Sequence, residues 1–273
     1  MFQFLIFALL GLTSSVPSLS VATYNILADV YASPERYRLS GETLAWNSRW
    51  PRLHSRLLEI DPDLLFLQEV QVGSHVAGIA EALSAELDLL FVRRARGKLD
   101  GCALLFKRSM FALVDHVDVD LDDGAKGNVG LVAVLKHTSA PAHHCLVAST
   151  AHLHWNPAEW QLKEAQAESI LDATRALSLK HGCLSVLVAG DWNSFTNSSV
   201  VKRILQDRSL SLTRADVNEP TTITETFNAT IDHVFFSGMA LLDARVHTHS
   251  PWLPMPNANE PSDHFPLVAR FSR

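Results

Sequence analysis

Six strand-like apolar runs in this chain end on side chains that can bind a cation or move a proton. The ends are Asn25, Glu69, His152, Asp191 with Asn193, Asp232 with His233, and Asp263 with His264. A single carboxylate after a strand is more often a turn former or a helix cap. The recurrence is the signal, because loops at strand ends are where a rigid scaffold presents a site. These donors suit a hard divalent cation: Mg²⁺ takes oxygen ligands and keeps waters, so it needs only one or two carboxylates and a substrate phosphate. Mn²⁺ is the alternative ion. Scattered thiols and the absence of His-x-Glu or His-Glu-x-x-His spacing disfavour a dedicated zinc site. No Walker loop or Gly-x-Gly-x-x-Gly follows a strand, and Gly-x-Ser-x-Gly is missing, which sets aside those nucleotide-binding and serine-hydrolase routes. Metal-assisted hydrolysis of a phosphoester remains. Histidines and a cation would stabilise the added negative charge at phosphorus, and a carboxylate would activate water.

The elements that must carry these residues can be read coarsely. Strand-like runs occur at 20–27, 64–69, 102–106, 111–119, 129–135, 145–150, 184–189, 231–236, 241–246 and 267–271. Helical spacing covers 49–60, ended by Asp61-Pro62, then 74–89, and 159–179, where Lys163, Glu164, Gln166 and Glu168 are read as a polar side. Many strands, few helices and a mixed order predict two packed sheets with helices outside. The 273 residues carry no repeat, low-complexity tract or linker, and 47% hydrophobic content fills one large core. A net charge of −6 argues against holding nucleic acid by blanket charge neutralisation. Cys102, Cys145 and Cys183 are odd in number and widely spaced, so they are expected to be buried free thiols without a disulfide framework. Residues 1–18 form a separate segment, with the single domain at 19–273. The apolar run 2–12 is too short to span a bilayer; with the small residues after it, it reads either as a secretory signal without a basic n-region or as a frayed N-terminus. Localisation is therefore open between cytoplasm and secretory pathway.

The ordered set of motifs resembles the endonuclease/exonuclease/phosphatase superfamily. It comprises Thr23-Tyr-Asn25-Ile-Leu, Asp63-Leu-Leu-Phe-Leu-Gln-Glu69-Val, Ala151-His152-Leu-His-Trp-Asn-Pro157, Gly190-Asp191-Trp-Asn193-Ser, Ile231-Asp232-His-Val-Phe-Phe-Ser237 and Ser262-Asp263-His264-Phe-Pro-Leu. Asp100-Gly-Cys-Ala-Leu-Leu-Phe106 and the pair Lys163 and Gln166 are similar to the deadenylase, nocturnin and Angel branch. The resemblance implies a DNase I-like four-layer α/β sandwich, two mixed sheets flanked by helices, with the site at one end. By position it implies that Glu69 binds Mg²⁺ with Asn25 beside it, and that Asp263 is a second metal ligand or shapes the site. Asp191 would orient or deprotonate the attacking water and Asn193 hold a phosphate oxygen. His264, fixed by Asp232, and His152 would face the scissile phosphate as a protonated pair.

Departures bear on substrate. Asn156 stands where the branch usually has Asp, and His233 where many relatives have Tyr. Phe227 falls where deadenylases place a base-stacking aromatic, although it could equally pack beneath its loop. The basic run from Arg93 to Lys98 could meet phosphates or simply be solvated. His116, His137, His143, His144, His247 and His249 match no motif and are read as surface or structural residues. The sequons at Asn197 and Asn228 matter only if the signal reading holds. The expected function is a Mg²⁺-dependent phosphodiesterase acting on RNA 3′ ends, deadenylase-like. The alternative is a phosphatase or phosphodiesterase of a small phosphorylated molecule, such as a nucleotide 2′-phosphate, an inositol phosphate or a sphingomyelin-type headgroup. The partner is thus an RNA or nucleotide, or a small metabolite; no transmembrane span and a monomer are expected.

Overall fold

Side chains on successive strand residues point to opposite faces of a sheet, and here both faces are apolar. Val21, Leu64, Phe66, Leu187 and Ala189 enter one buried cluster, while their neighbours Ala22, Leu65 and Leu67, or Val186 and Val188, enter two others. Strands buried on both faces need a second sheet on one side and helices on the other. The computed structural model, which describes residues 18–39, 41–122, 124–139, 145–249 and 253–272, has that arrangement.

In chain order the elements begin with β1 (Ser18–Asn25), α1 (Pro34–Tyr37), α2 (Gly41–Leu44), α3 (Trp46–Ile60), β2 (Leu64–Gln71), α4 (Ser74–Leu83), β3 (Leu87–Arg93) and β4 (Asp100–Lys107). They continue with β5 (Phe111–Asp120), β6 (Val129–His137), β7 (Cys145–His152), α5 (Trp160–His181), β8 (Ser185–Asp191), α6 (Ser199–Leu205) and β9 (Thr213–Arg214). The last are β10 (Thr222–Ile223), β11 (Asn228–Ala229), β12 (Asp232–Ser237), β13 (Ala240–Val246) and β14 (Leu267–Ser272). One six-stranded sheet has the order β13-β14-β1-β2-β4-β3 and the other β5-β6-β7-β8-β12-β9. Both are mixed: β1 and β2 are parallel, as are β7 and β8, and the other named pairs are antiparallel. A parallel pair needs a crossover. The chain supplies α1 to α3 for the first pair and α5 for the second. The result is the expected four-layer sandwich, with α3 and α4 packed on one sheet and α5 and α6 on the other. No described helix is long and apolar enough to cross a membrane.

Several expectations change. The helical reading of 74–89 stops at Leu83, and Leu87–Arg93 is a strand paired with β4. Its apolar run offered helical spacing, but the open edge of β4 takes it as a strand. Lys163 and Gln166 are not on a polar outer side of α5; both are buried, Lys163 reaching the Asn193 carbonyl and Gln166 the Asp122 carboxylate. Cys145 and Cys183 are not free thiols. They form a disulfide with Cα atoms 5.1 Å apart, because α5 runs back along β7 and returns its C-terminus to where β7 begins. Cys102 is buried and free, as expected. Residues 1–17 lie outside the described residues, as do His143 and His144; Ser18 is the first residue of β1.

A buried polar tie joins the sheets beneath one end of the sandwich. Gln68 Nε2 on β2 donates to Thr23 Oγ1 on β1 and to Thr150 Oγ1 on β7, at 3.2 and 3.1 Å. Arg49, fully buried on α3, donates to the carbonyls of Leu44, Ile26, Leu27 and Pro261 and to Asp29 Oδ1. One guanidinium therefore braces both the loop after β1 and the segment that leads to Asp263.

Candidate active site

The carboxyl ends of the two parallel pairs meet at that end of the sandwich. In the second sheet, His152 pairs with Asp191 and Asp191 with Asp232 across β7, β8 and β12, so three of the candidate side chains stand in one row. Gly190 makes this row compact: a Cβ there would lie 2.1 Å from the Ala151 carbonyl oxygen. In the first sheet, Asn25 ends β1 opposite Gln68, and a register shift after Leu67 carries Glu69 at φ +56°. A positive φ at a non-glycine residue is a backbone cost held by its surroundings. Here Asn25 Nδ2 donates to Glu69 Oε1 at 3.1 Å and the Ala28 amide to Oε2 at 3.0 Å.

Asn25 bridges the sheets, since its Nδ2 also lies 3.0 Å from Asp191 Oδ2. The same Asp191 oxygen faces His152 Nε2 at 3.6 Å and His264 Nε2 at 3.7 Å. His264 Nδ1 is 2.8 Å from Asp232 Oδ2. Asn193, at φ +46°, donates its backbone amide to Asp191 Oδ1 and its Nδ2 to the Leu153 carbonyl, which leaves the second amide hydrogen for a ligand. A cleft of about 490 Å³ is lined by Glu69, His152, Asp191, Asn193, Asp263 and His264; Asn25 and Asp232 are buried. Eight of the nine sequence-derived site residues therefore converge. Phe227 sits apart, on the turn of the β10–β11 hairpin, in an adjoining cleft of about 310 Å³ shared with Trp155, Trp160, Lys163, Asn193 and Phe195. The residue is 40% exposed and its ring centroid lies 6.0 Å from that of Phe195.

The electrostatics separate the two histidines. Burial disfavours charge on His264, but Asp232 and Asp191 outweigh it and hold the imidazolium well above the ordinary histidine range. Burial lowers His152 to about 4, against the pull of Asp191, so this ring is neutral near pH 7. The expected protonated pair is thus one charged and one neutral imidazole. Burial pushes Glu69 up to about 7, with the charge of Asp263 adding to it. Burial and Asp232 raise Asp191. The described contacts leave Asp263 Oδ1 and Asp232 Oδ1, both buried, without a hydrogen-bond partner. Crowded carboxylates and an orphaned carboxylate oxygen fit a bound cation. Asp191, Asp232 and His264 also hold ligand atoms within 4.8 Å of one another.

Four contributors were not singled out for the site by sequence. Tyr37 donates to Asp263 Oδ2 at 2.6 Å and Arg36 approaches the same oxygen at 3.5 Å. Asn128 Nδ2 holds the His152 carbonyl at 2.9 Å. Lys163 Nζ holds the Asn193 carbonyl at 2.7 Å. The pairing of Lys163 with Gln166 was a signal for the last; the others sit in a one-turn helix and a loop with no periodic pattern. Arg94 and Lys98, from the basic run, line the cleft.

A mixed-sheet sandwich with a carboxylate–histidine cleft at one end defines a recognisable class of protein, and comparison with known proteins agrees. Residues 22–264 match the Endonuclease/Exonuclease/phosphatase family. The chain is 29% identical to the CCR4-Not complex 3′-5′-exoribonuclease subunit Ccr4 of Saccharomyces cerevisiae, over 92% of this chain and 38% of that protein. It is 30% identical to Protein angel of Drosophila melanogaster, over 68% of this chain and 55% of that protein. The crystal structure of ANGEL2, a 2′,3′-cyclic phosphatase, in complex with adenosine-2′,3′-vanadate superposes with a TM-score of 0.81 at 24% identity, covering 93% of this chain and 95% of that one. The human Nocturnin catalytic domain with bound sulfate gives 0.75 at 22% identity, covering 94% and 93%. The chain belongs to the endonuclease/exonuclease/phosphatase family. It spans about two fifths of the length of the yeast Ccr4 proteins it matches.

Proposed function

We propose that the chain is a divalent-metal-dependent phosphoester hydrolase acting on RNA 3′ ends, a deadenylase-like exoribonuclease. The observation that carries the reading is the side-by-side placement of two clefts: the carboxylate–histidine cleft opens beside one lined by Phe227, Phe195 and Trp155, and Asn193 lines both. Aromatic faces accept bases and charged groups accept phosphates. In this reading Glu69, Asn25 and Asp263 hold Mg²⁺, or Mn²⁺ in its place. The ion when bound supplies charge neutralisation at the phosphate oxygens. Asp191, its affinity for a proton raised by burial and Asp232, takes the proton of the attacking water. His264, kept charged by Asp232, donates to the phosphate oxygen on which negative charge develops. Neutral His152 and the spare hydrogen of the Asn193 amide donate to the same group.

A second reading, a phosphatase or phosphodiesterase of a small phosphorylated molecule, is favoured by Arg94 and Lys98 in the cleft lining, where they would meet a further phosphate. ANGEL2, with its adenosine-2′,3′-vanadate complex, places a terminal phosphate ester among the substrates to try. The test is turnover of 5′-labelled oligo(A) bearing a 3′-hydroxyl or a 2′,3′-cyclic phosphate, alongside NADPH and an inositol phosphate. Each is assayed with Mg²⁺ and with EDTA, for wild type and Glu69→Gln. A metal-dependent ladder on oligo(A) that Glu69→Gln loses supports the exoribonuclease. Phosphate release from a small molecule, or cyclic-phosphate opening with the oligo(A) body intact, moves the function to the second reading. Turnover that survives both EDTA and Glu69→Gln rejects both.

A further inference from the structure

Away from the cleft, where α3 ends and β13 leaves its sheet, Glu59 faces His247 and His249. His249 Nε2 lies 3.0 Å from Glu59 Oε1 and 2.9 Å from Oε2, and His247 Nε2 lies 3.5 Å from Oε1. One ligand atom from each residue falls within 4.8 Å of the other two. Ligands spread tetrahedrally around a zinc ion at its usual bond lengths are roughly 3.3 Å apart, so small side-chain adjustments would bring the trio onto one ion. We propose that Glu59, His247 and His249 form a second cation site that takes a zinc-type divalent ion, leaving a fourth position for water.

Three observations carry the assignment. The first is the donor set. Two imidazoles with one carboxylate select zinc-like ions over magnesium, which prefers oxygen alone. The second is that the backbone just after β13 already presents both rings together, their centroids 5.5 Å apart. The His247 amide is fixed on the Pro266 carbonyl at 2.8 Å and the His249 amide on Glu260 Oε1 at 2.9 Å. The third is that His247 Nε2 is buried and faces the Glu59 carboxylate at 3.5 Å without a hydrogen bond of good geometry.

Arg56 sets a condition on loading. Its Nη2 lies 3.3 Å from His249 Nδ1. A metal on Nε2 puts the ring proton on Nδ1, so the guanidinium must draw back toward Glu260 Oε2, already 2.9 Å from Nη1. The ion would then clip the end of α3 to the chain leaving β13, the stretch that leads through Pro261 to Asp263 and His264. The sequence hid this site because Glu59 is 188 positions from His247.

The test is Co²⁺ and Zn²⁺ binding to the EDTA-stripped full chain in excess Mg²⁺, read by the visible absorption of Co²⁺ and by calorimetry. Wild type, Glu59→Gln, His247→Ala and His249→Ala are compared, with His264→Ala to disable the cleft donors. The expected result is one Zn²⁺ per chain that persists in His264→Ala. Its affinity falls about a hundredfold or more when one of the three ligands is removed, while hydrolytic activity in Mg²⁺ is unchanged. Glu59 is half exposed, so Glu59→Gln keeps the test decisive if an alanine variant fails to fold. Absence of Zn²⁺ binding in wild type overturns the proposal. So does binding that His264→Ala abolishes and Glu59→Gln leaves intact, which assigns the ion to the cleft.

Discussion

Asp232 touches no part of the cleft surface, yet the charge state of the site depends on it. Its Oδ2, 2.8 Å from His264 Nδ1, offsets the burial that would otherwise neutralise the ring. Asp232→Asn removes that charge, so the alkaline limb of the rate profile should move down toward the ordinary histidine pKa, with turnover at pH 8 falling on the order of 10²–10⁴-fold. A pH–rate profile of both proteins checks this; an unmoved limb would assign it to another group. The same shift has a stability sign. The His264 pKa is raised on folding, so its contribution is full below the unfolded histidine value and is lost as pH rises through the folded one. His233 works in the opposite sense. Burial holds it at about 4, while its Nε2 pairs with the Ser194 carbonyl at 2.8 Å. The unfolded chain binds a proton below about 6.5 that the folded chain refuses until about 4, so stability is lost as pH falls through that window, by up to ~3 kcal/mol. A phenol cannot take on charge there, and His233→Tyr should flatten the acid fall of Tm between pH 6.5 and 4. An equally steep fall in the variant would place the acid sensitivity elsewhere, His152 being the next group to vary. At this scale the sequence was most legible for residues that end apolar strands. Tyr37, Arg36 and Asn128 escaped because their relation to the site exists only after the chain has folded.

Elements position these groups through backbone closeness rather than loop flexibility. Gly190 lets β8 lie against β7 where His152 and Asp191 pair, and a methyl group there collides with the Ala151 carbonyl oxygen. Gly190→Ala should cost about 1–3 kcal/mol and misalign the row enough to lower turnover by about tenfold or more. Melting curves with kinetics test this, and an unaffected rate would show that the row tolerates strand separation. The β10–β11 hairpin is bound to the His264 segment, Thr222 Oγ1 donating to the Asp263 carbonyl and the Phe265 amide to the Thr221 carbonyl, each at 2.7 Å. The aromatic cleft and the histidine are thereby held in register. Most strands were readable because both faces are apolar and their lengths suit a sheet. β3 was not: Leu87 continues the helical spacing of α4, and only an unfilled neighbour in the sheet decides that it extends. The two-residue strands β9, β10 and β11 carry too little pattern to be seen in advance.

Over the whole molecule, the cysteine pair and the cleft lie at opposite ends of β7, which begins at Cys145 and ends at His152. Reduction, or Cys145→Ser with Cys183→Ser, should lower stability by ~2–4 kcal/mol through the freed 38-residue separation and leave turnover at ambient temperature unchanged. Thermal melts and rates with and without reductant check both halves; a large rate loss would mean that the clip reaches the site through the length of the strand. Sequence spacing could not reveal the pair, because only the antiparallel return of α5 over β7 brings the two cysteines together.

The cleft itself is divided between the sheets. Asn25 and Glu69 belong to one, His152, Asp191 and Asp232 to the other, and a buried amide with two threonines holds the faces together beneath them. Whatever fills the cleft and is held from both sides acts as a fastener between two halves of a shell. Its grip on the protein and the protein's resistance to splitting along the sandwich plane are then one quantity, and the amide protons of β1 and β8 should slow their exchange together when the cleft is filled.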